Sequence, residues 1–345
     1  MKIRPVSTLK GGERLSEPVI TEEKEILIPK GTVLKPEYLD LLAFLGIEAV
    51  SVEDPFAEAE RPHRILSEEK TNWYIDQVKD ILEGHIYQEK HSLIRLKPLS
   101  EEIVEDILQA DEEMVIDVQE RNGNLYDHTI MVTILSVMVA RKLKATKEFL
   151  RDIALGCLLH DLGLRYITVS YINLDMEKRL ESEVFEFKKH TIQAYSALEG
   201  ETWIGSNAKR MILSHHERKD GSGFPLRQKS RELNCNILQA CDVFDCAISG
   251  VECKRITIQE ALQYLMETAD VLFEKRIVRI LVNLIGRYPV GQRLRLTSGE
   301  SGVVIEQTEH SIYPVIGVLD EKGRLTGKSY RLKKDDKLSI LQLES

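Results

Sequence analysis

No apolar run in this sequence is long enough to cross a membrane. The stretch from Ile130 to Ala140 is too short and carries Thr133 and Ser136. Basic excess is also missing. The formal net charge is -9, which excludes the broad cationic footprint that a DNA or RNA polymer requires. A small anionic ligand stays open, because metal ions and a few local cations can outweigh the global charge. Paired cysteines are lacking too. Cys157, Cys235, Cys241, Cys246 and Cys253 are odd in number and none shows CxxC spacing. Free thiols in a reducing cytoplasm are the expectation. Met1 to Lys10 contains no apolar targeting core, so a cytoplasmic protein with no membrane partner is expected. There is no internal repeat and no low-complexity segment.

What is present is a chain of 345 residues, 43% hydrophobic and 30% charged, globular in character and long enough for two or three domains. Residues 1–60 read as a small α+β module. Pro18-Val19-Ile20 and Ile26-Leu27-Ile28 are short strands about a polar turn. A helix opened by Pro36 buries Leu39, Leu41, Leu42 and Leu45 and closes at Gly46, and a strand follows at Ile47 to Val52. Nothing there carries chemistry. A polar linker covers 54–65, and residues 61–121 form a charged helical connector. Its helices start near Ser67 and at Ser100, the latter acting as cap, and they can pair in a homodimer. Residues 122–288 are helical by apolar periodicity. The expected helices are Ile130 to Leu143, Leu150 to Leu162, Glu181 to Leu198, Asn207 to His216, Ile237 to Ile248, Ile258 to Leu265 and Ile277 to Ile285. After Gly286 the pattern shortens to a β module of four or five strands, 289–345. The fold class is therefore mainly α: a central helical bundle with a small N-terminal α+β module and a small C-terminal β module.

Five of the nine histidines fall between 128 and 216, each on or at the end of an expected helix. With two aspartates they make a ladder of His128, His160-Asp161, His190, His215-His216 and Asp242. An imidazole and a carboxylate at the end of a buried apolar helix are costly unless something pairs with them. Helix-borne ligands pointing into a bundle core are a common way to hold one or two ions. Imidazole-rich donors favour iron, manganese or zinc and disfavour calcium, which takes oxygen ligands. Asp161 is placed to bridge two ions. His63, His85 and His91 read as surface histidines, and His310 falls in a turn remote from other ligand-type residues.

These strings resemble the HD-GYP domain, a branch of the HD-superfamily metal-dependent phosphohydrolases. The matching pieces are Tyr126-Asp127-His128, Leu159-His160-Asp161-Leu162-Gly163, His190, His215-His216-Glu217-Arg218 with Asp220-Gly221-Ser222-Gly223-Phe224-Pro225, and Cys241-Asp242-Val243-Phe244-Asp245. The Pro29-Lys30-Gly31-Thr32 turn and Pro289-Val290-Gly291 also resemble modules that accompany the domain. The resemblance implies hydrolysis of the bacterial second messenger cyclic di-GMP by a binuclear metal-activated hydroxide, with iron or manganese. One ion would take His128, His160, Asp161 and Asp242. The second would share Asp161, the least replaceable residue, and take His190, His215 and His216. Gly223, Phe224 and Pro225 would shape the substrate pocket, with Phe224 standing where the family has Tyr. The family's phosphate-binding lysine is replaced by Leu164, so Arg165 and Lys254 are the cations expected to reach the substrate. Asn124 stands where a Glu for a third ion would be, so two ions are expected. The alternatives are a catalytically weakened module that senses a nucleotide or docks a protein, and a phosphohydrolase acting on another nucleotide.

Overall fold

The structure, a computed structural model, describes every residue except 1, 7–8, 21–25, 48, 54–55, 57–58, 90, 122, 230–231 and 345. The chain forms two compact units: Met1–Pro62 with Pro289–Gln307 and Tyr313–Ser345, and His63–Tyr288 with Thr308–Ile312. Among the described residues, no helix is long and apolar enough to cross a membrane.

In the first unit, β1 (Lys2–Pro5) pairs antiparallel with β4 (Ala49–Val52), and β2 (Val19–Ile20) pairs with β3 (Ile26–Ile28). The polar turn expected between β2 and β3, and part of the expected linker, lie outside the described residues. Helix α1 (Pro36–Phe44) starts on its proline, whose missing N–H costs nothing at that position. Of the expected apolar face only Leu42 is fully buried. Leu41 and Leu45 remain exposed at 40% and 47%. Leu42 enters the small core of this unit beside Leu15, Leu34, Val50 and Val52, and Leu41 and Leu45 lie outside it. The later strands are β5 (Arg293–Leu296), β6 (Ser301–Glu306), β7 (Val315–Leu319), β8 (Leu325–Arg331) and β9 (Ile340–Leu343). They form one antiparallel sheet in the order β8-β7-β6-β5-β9. Phe56 packs with Val303 and Leu319 on this sheet.

The second unit is helical: α2 (Glu68–Ile86), α3 (Leu96–Gln109), α4 (Leu125–Lys142), α5 (Lys147–Leu159), α6 (Glu181–Lys188), α7 (His190–Leu198), α8 (Ser206–Ser214), α9 (Leu233–Ser249), α10 (Ile258–Thr268) and α11 (Lys275–Leu284). Helix α4 is its axis. It is buried nearly all round from Thr129 to Ala140, which only a helix enclosed by others can be. It packs against α2, α3, α5, α9 and α11. The hydroxyls of Thr129 and Thr133 avoid a desolvation cost by donating to Leu125 O and Thr129 O four residues back. The expected connector lies in this unit, and its Tyr74, Val78, Ile81, Ile103 and Ile107 join the same core.

Several helix boundaries differ from the expectation: α5, expected over 150–162, ends at Leu159 and leaves His160 as its C-cap with Asp161 beyond it. Helix α3 begins at Leu96, straight after a 3₁₀ turn. Ser100 therefore sits inside it, donating to Lys97 O instead of capping. The single helix expected over 181–198 breaks at Lys189, whose N–H takes the tighter bond to Glu186 O. That break frees Phe187 O, which has a use in the site. Because Leu135 on α4 is fully buried, Leu135→Ala is expected to cost about 2–5 kcal/mol. Urea unfolding should show the midpoint falling with little change in slope.

Candidate metal centre

Helix ends build this site. The last carbonyls of an α-helix have no partner within it. His160, the residue after α5, directs Nδ1 to Cys157 O at 2.6 Å. His215, after α8, does the same to Ile212 O at 2.8 Å. His190 uses the carbonyl freed by the break after α6, Phe187 O, at 2.7 Å. An imidazole whose Nδ1–H donates to a carbonyl leaves Nε2 with a free lone pair in a fixed direction. His128, on the first turn of α4, differs: its Nδ1 meets Asp245 Oδ2 at 2.8 Å. Asp245 is held in turn by Arg121 Nη2, 2.8 Å from each carboxylate oxygen.

All four Nε2 atoms converge on Asp161. Asp161 Oδ2 lies 3.4 Å from His128 Nε2 and 3.2 Å from His160 Nε2. Oδ1 lies 3.3 Å from His215 Nε2 and 3.9 Å from His190 Nε2. The two oxygens of one carboxylate thus face opposite halves of the cluster. Asp242, on α9, joins the first half with Oδ1 3.2 Å from His128 Nε2. His216 joins the second, its ring 4.2 Å from that of His215. The seven residues expected as ligands are all buried.

Electrostatics divides the halves as well. Burial drives His190 down to about 4 and holds His216 well below its ordinary value, each helped by the neighbouring His215. Both are neutral at pH 7 and able to donate a lone pair. Burial opposes charge on His160 too, but Asp161 and Asp242 outweigh it and bring its pKa up to about 10. Around His128, Cys246, Asp161, Asp242 and Asp245 likewise outweigh burial and raise it well above normal. Asp161 and Asp242 are held well below the usual carboxylate range against the cost of burial, Asp161 by His160 first and Asp242 by His128 and His160. A proton on His128 or His160 would offset the charge of the buried carboxylates.

The residues fit divalent ions. Both oxygens of Asp161, Oδ2 of Asp242 and Nε2 of His216 are buried without a hydrogen-bond partner, a state that costs free energy unless something binds them. Three groups of donor atoms, each within 4.8 Å, could hold an ion: His128, His160 and Asp161; His128, Asp242 and Cys246; and His190, His215, His216 and Glu252. Sequence reasoning gave no site role to Cys246, Asp245 or Glu252. Asp245 and Cys246 lie three and four residues after Asp242 on α9 and so share its face, a signal that was readable. Glu252 follows the helix and has no such periodicity.

The other expected site residues scatter. Gly223 is buried where a Cβ would collide with the backbone at His216 and Glu217. Its loop is tied down by Glu217, whose carboxylate accepts from Leu226 N and Gln228 N at 2.6 and 2.9 Å. Phe224 stacks on His216, centroids 4.4 Å apart and 20° from parallel, and is joined to Pro225 by a cis peptide. Leu164 is buried in an apolar cluster with Leu125, Leu174 and Phe187. Arg165 grips Glu83 of α2 through Nε at 2.7 Å and Nη2 at 2.9 Å, and Tyr126 OH bonds the same carboxylate. Lys254 is exposed. His85 is half-buried rather than on the surface, because its Nε2 meets Tyr166 OH at 2.8 Å.

The HD domain family profile matches residues 102–277. A cyclic di-GMP phosphodiesterase of Pseudomonas aeruginosa is 30% identical over 190 residues, 54% of this chain and 45% of that protein. A cyclic di-GMP phosphodiesterase response regulator of Xanthomonas campestris pv. campestris is 31% identical over 169 residues, 48% of this chain and 44% of that one. The chain thus spans under half the length of these two relatives. An HDG"Y"P protein from Bdellovibrio bacteriovorus superposes with a TM-score of 0.51 at 15% identity, covering 81% of this chain and 97% of its own.

Two outcomes follow from the geometry. A Cβ on Gly163 would collide with the His190 carbonyl, so Gly163→Ala should destabilise the chain by about 1–3 kcal/mol or more. It should also weaken manganese binding, read by thermal unfolding with and without the ion. Loading at pH 7 should release at least about two protons per chain, from His128 and His160, because ions displace protons from their ligands. Calorimetry in buffers of different ionisation enthalpy measures this, and zero release would refute the charge assignment.

Proposed function

The chain belongs to the HD domain family, and on that premise we propose that it is a metal-dependent phosphodiesterase that hydrolyses a cyclic dinucleotide, with cyclic di-GMP as the substrate. The observation that carries this reading is Asp161, whose two oxygens face two separate sets of imidazoles. His128, His160, Asp161 and Asp242 would hold one ion. Asp161, His190, His215 and His216 would hold the other. Iron or manganese suits five imidazoles with carboxylates. Bound there, the two ions would supply Lewis acidity, lowering the pKa of water and offsetting phosphate charge.

This chain's own residues set the geometry. Helix-end carbonyls and Asp245 orient the imidazoles, so no reorganisation is needed when ligands arrive. Phe224 presents an aromatic face beside His216 on which a guanine can stack. It lacks the phenolic hydroxyl and offers no hydrogen bond there. The named activities of the two bacterial relatives support the substrate class. Five unpaired cysteines accord with a reducing cytoplasm.

One observation favours a second reading. Leu164 is locked in apolar packing, and Arg165 would have to leave its two bonds to Glu83 to reach a phosphate. A module without that cation can bind a nucleotide and turn it over poorly, acting as a sensor. One experiment separates the two. Purified chain loaded with manganese or ferrous iron is incubated with cyclic di-GMP, and linear dinucleotide and GMP are followed by chromatography. Turnover that falls more than about a hundredfold in Asp161→Asn is expected, because even the partners of ligands are worth 10–100-fold. Tight binding with no product selects the sensor. Hydrolysis of other nucleotides in place of cyclic di-GMP reassigns the substrate.

A further inference from the structure

Helix α9 ends on Gly250, whose backbone turns left-handed at φ 76°. The segment after it is pinned from both sides. Asn173 N donates to Gly250 O at 2.7 Å, and Glu252 N donates to Tyr171 O at 2.7 Å. Cys253 N then closes back on Val251 O at 2.8 Å. Glu252 stands at the centre of that three-residue turn with φ 63°. Turns of this hand are rare and strained, and a non-glycine residue with a long side chain is an unusual occupant. Such strain persists where surrounding structure enforces it, and it gathers at functional sites.

The turn sends a carboxylate into the ligand cluster. Glu252 is 3% exposed. Its Oε1 lies 3.5 Å from His190 Nε2, and Oε2 lies 3.2 Å from His216 Nε2. Oε1 is buried with no hydrogen-bond partner. The Cys246 thiol lies 3.7 Å from Oε2. No lysine or arginine is paired with Glu252 among the described residues. A buried side chain in a strained turn, with one oxygen lacking a hydrogen bond and both oxygens facing imidazole nitrogens, is an expensive arrangement unless a cation belongs there.

We propose that Glu252 is a ligand of the ion held by His190, His215 and His216. That position then has three imidazoles and an anionic ligand of its own besides the shared Asp161. The consequence is chemical as well as structural. A third carboxylate lowers the net charge of the loaded two-ion site by one unit, and it occupies a coordination position otherwise left to solvent or phosphate. The inference rests on the two-ion reading above.

The test uses the full chain, stripped with a chelator and titrated with manganese alone. Calorimetry and electron paramagnetic resonance report stoichiometry and affinity, and thermal unfolding reports the gain on loading. The wild type is expected to take two ions. Glu252→Gln, nearly isosteric, should keep one ion at wild-type affinity and weaken the other by at least about tenfold. Glu252→Gly removes the carboxylate and relieves the left-handed strain. Its metal-free form should melt at or above the wild-type temperature while the second ion's contribution to melting is lost. A purely structural Glu252 gives the opposite: both variants retain two ions at wild-type affinity. That outcome removes the role of Glu252 and leaves the two-ion reading intact. A wild type that takes fewer than two ions overturns both.

Discussion

Everything in the site depends on unpaired carbonyls at the ends of helices. His160 and His215 each reach back three residues to a carbonyl at a helix C-terminus, and His190 does so across the break between α6 and α7. The bond satisfies an acceptor that would otherwise be buried alone, and it fixes which nitrogen keeps its lone pair. One interaction therefore completes the helix and aims the donor. Because the three helix ends meet beside Asp161, the three Nε2 atoms meet there as well. The His128 exception follows the same logic with a carboxylate. It sits at a helix start, where no carbonyl is free, and Asp245 takes the carbonyl's part.

This convergence brings a charge problem. Asp161, Asp242 and Glu252 are buried within one cluster of imidazoles. In the protein alone, protons are shared out unevenly. His128 and His160 are raised, and Asp161 and Asp242 are held down. Glu252 is pushed well above the ordinary range by its burial and then by repulsion from Asp161 and Asp242. His190 and His216 are held low by burial and by the neighbouring His215. Positive charge from outside the chain would relieve ionisations that pull so strongly against one another.

The surroundings of the metal-ligand cluster are apolar and aromatic. Leu164, Leu125, Leu174 and Phe187 form an apolar cluster, and Phe224 packs against it. Phe224 also lies flat on His216, in a loop that Glu217 ties to the end of α8. Arg165 joins α2 to the site through Glu83 and Tyr126.

The mainly helical fold was legible because apolar residues recur at helical spacing from Tyr74 to Leu284. The ligand types were legible because His128, His160-Asp161, His190, His215-His216 and Asp242 lie on or beside those helices. Both are local properties, and local periodicity decides them. Three things were not local. Whether Arg165 faces the cluster or Glu83 depends on α2, eighty-two residues away in sequence. Whether Leu41 and Leu45 are covered depends on which face of α1 meets the distant Leu15, Val50 and Val52. Glu252 belongs to no periodic element, and its carboxylate enters the cluster only because Tyr171 and Asn173 pin the turn that carries it. The sequence by itself determined which residues could bind and on which helices they would ride. The tertiary structure alone decided which lone pairs meet, because direction in space is set by packing between segments that carry no trace of one another in their spacing.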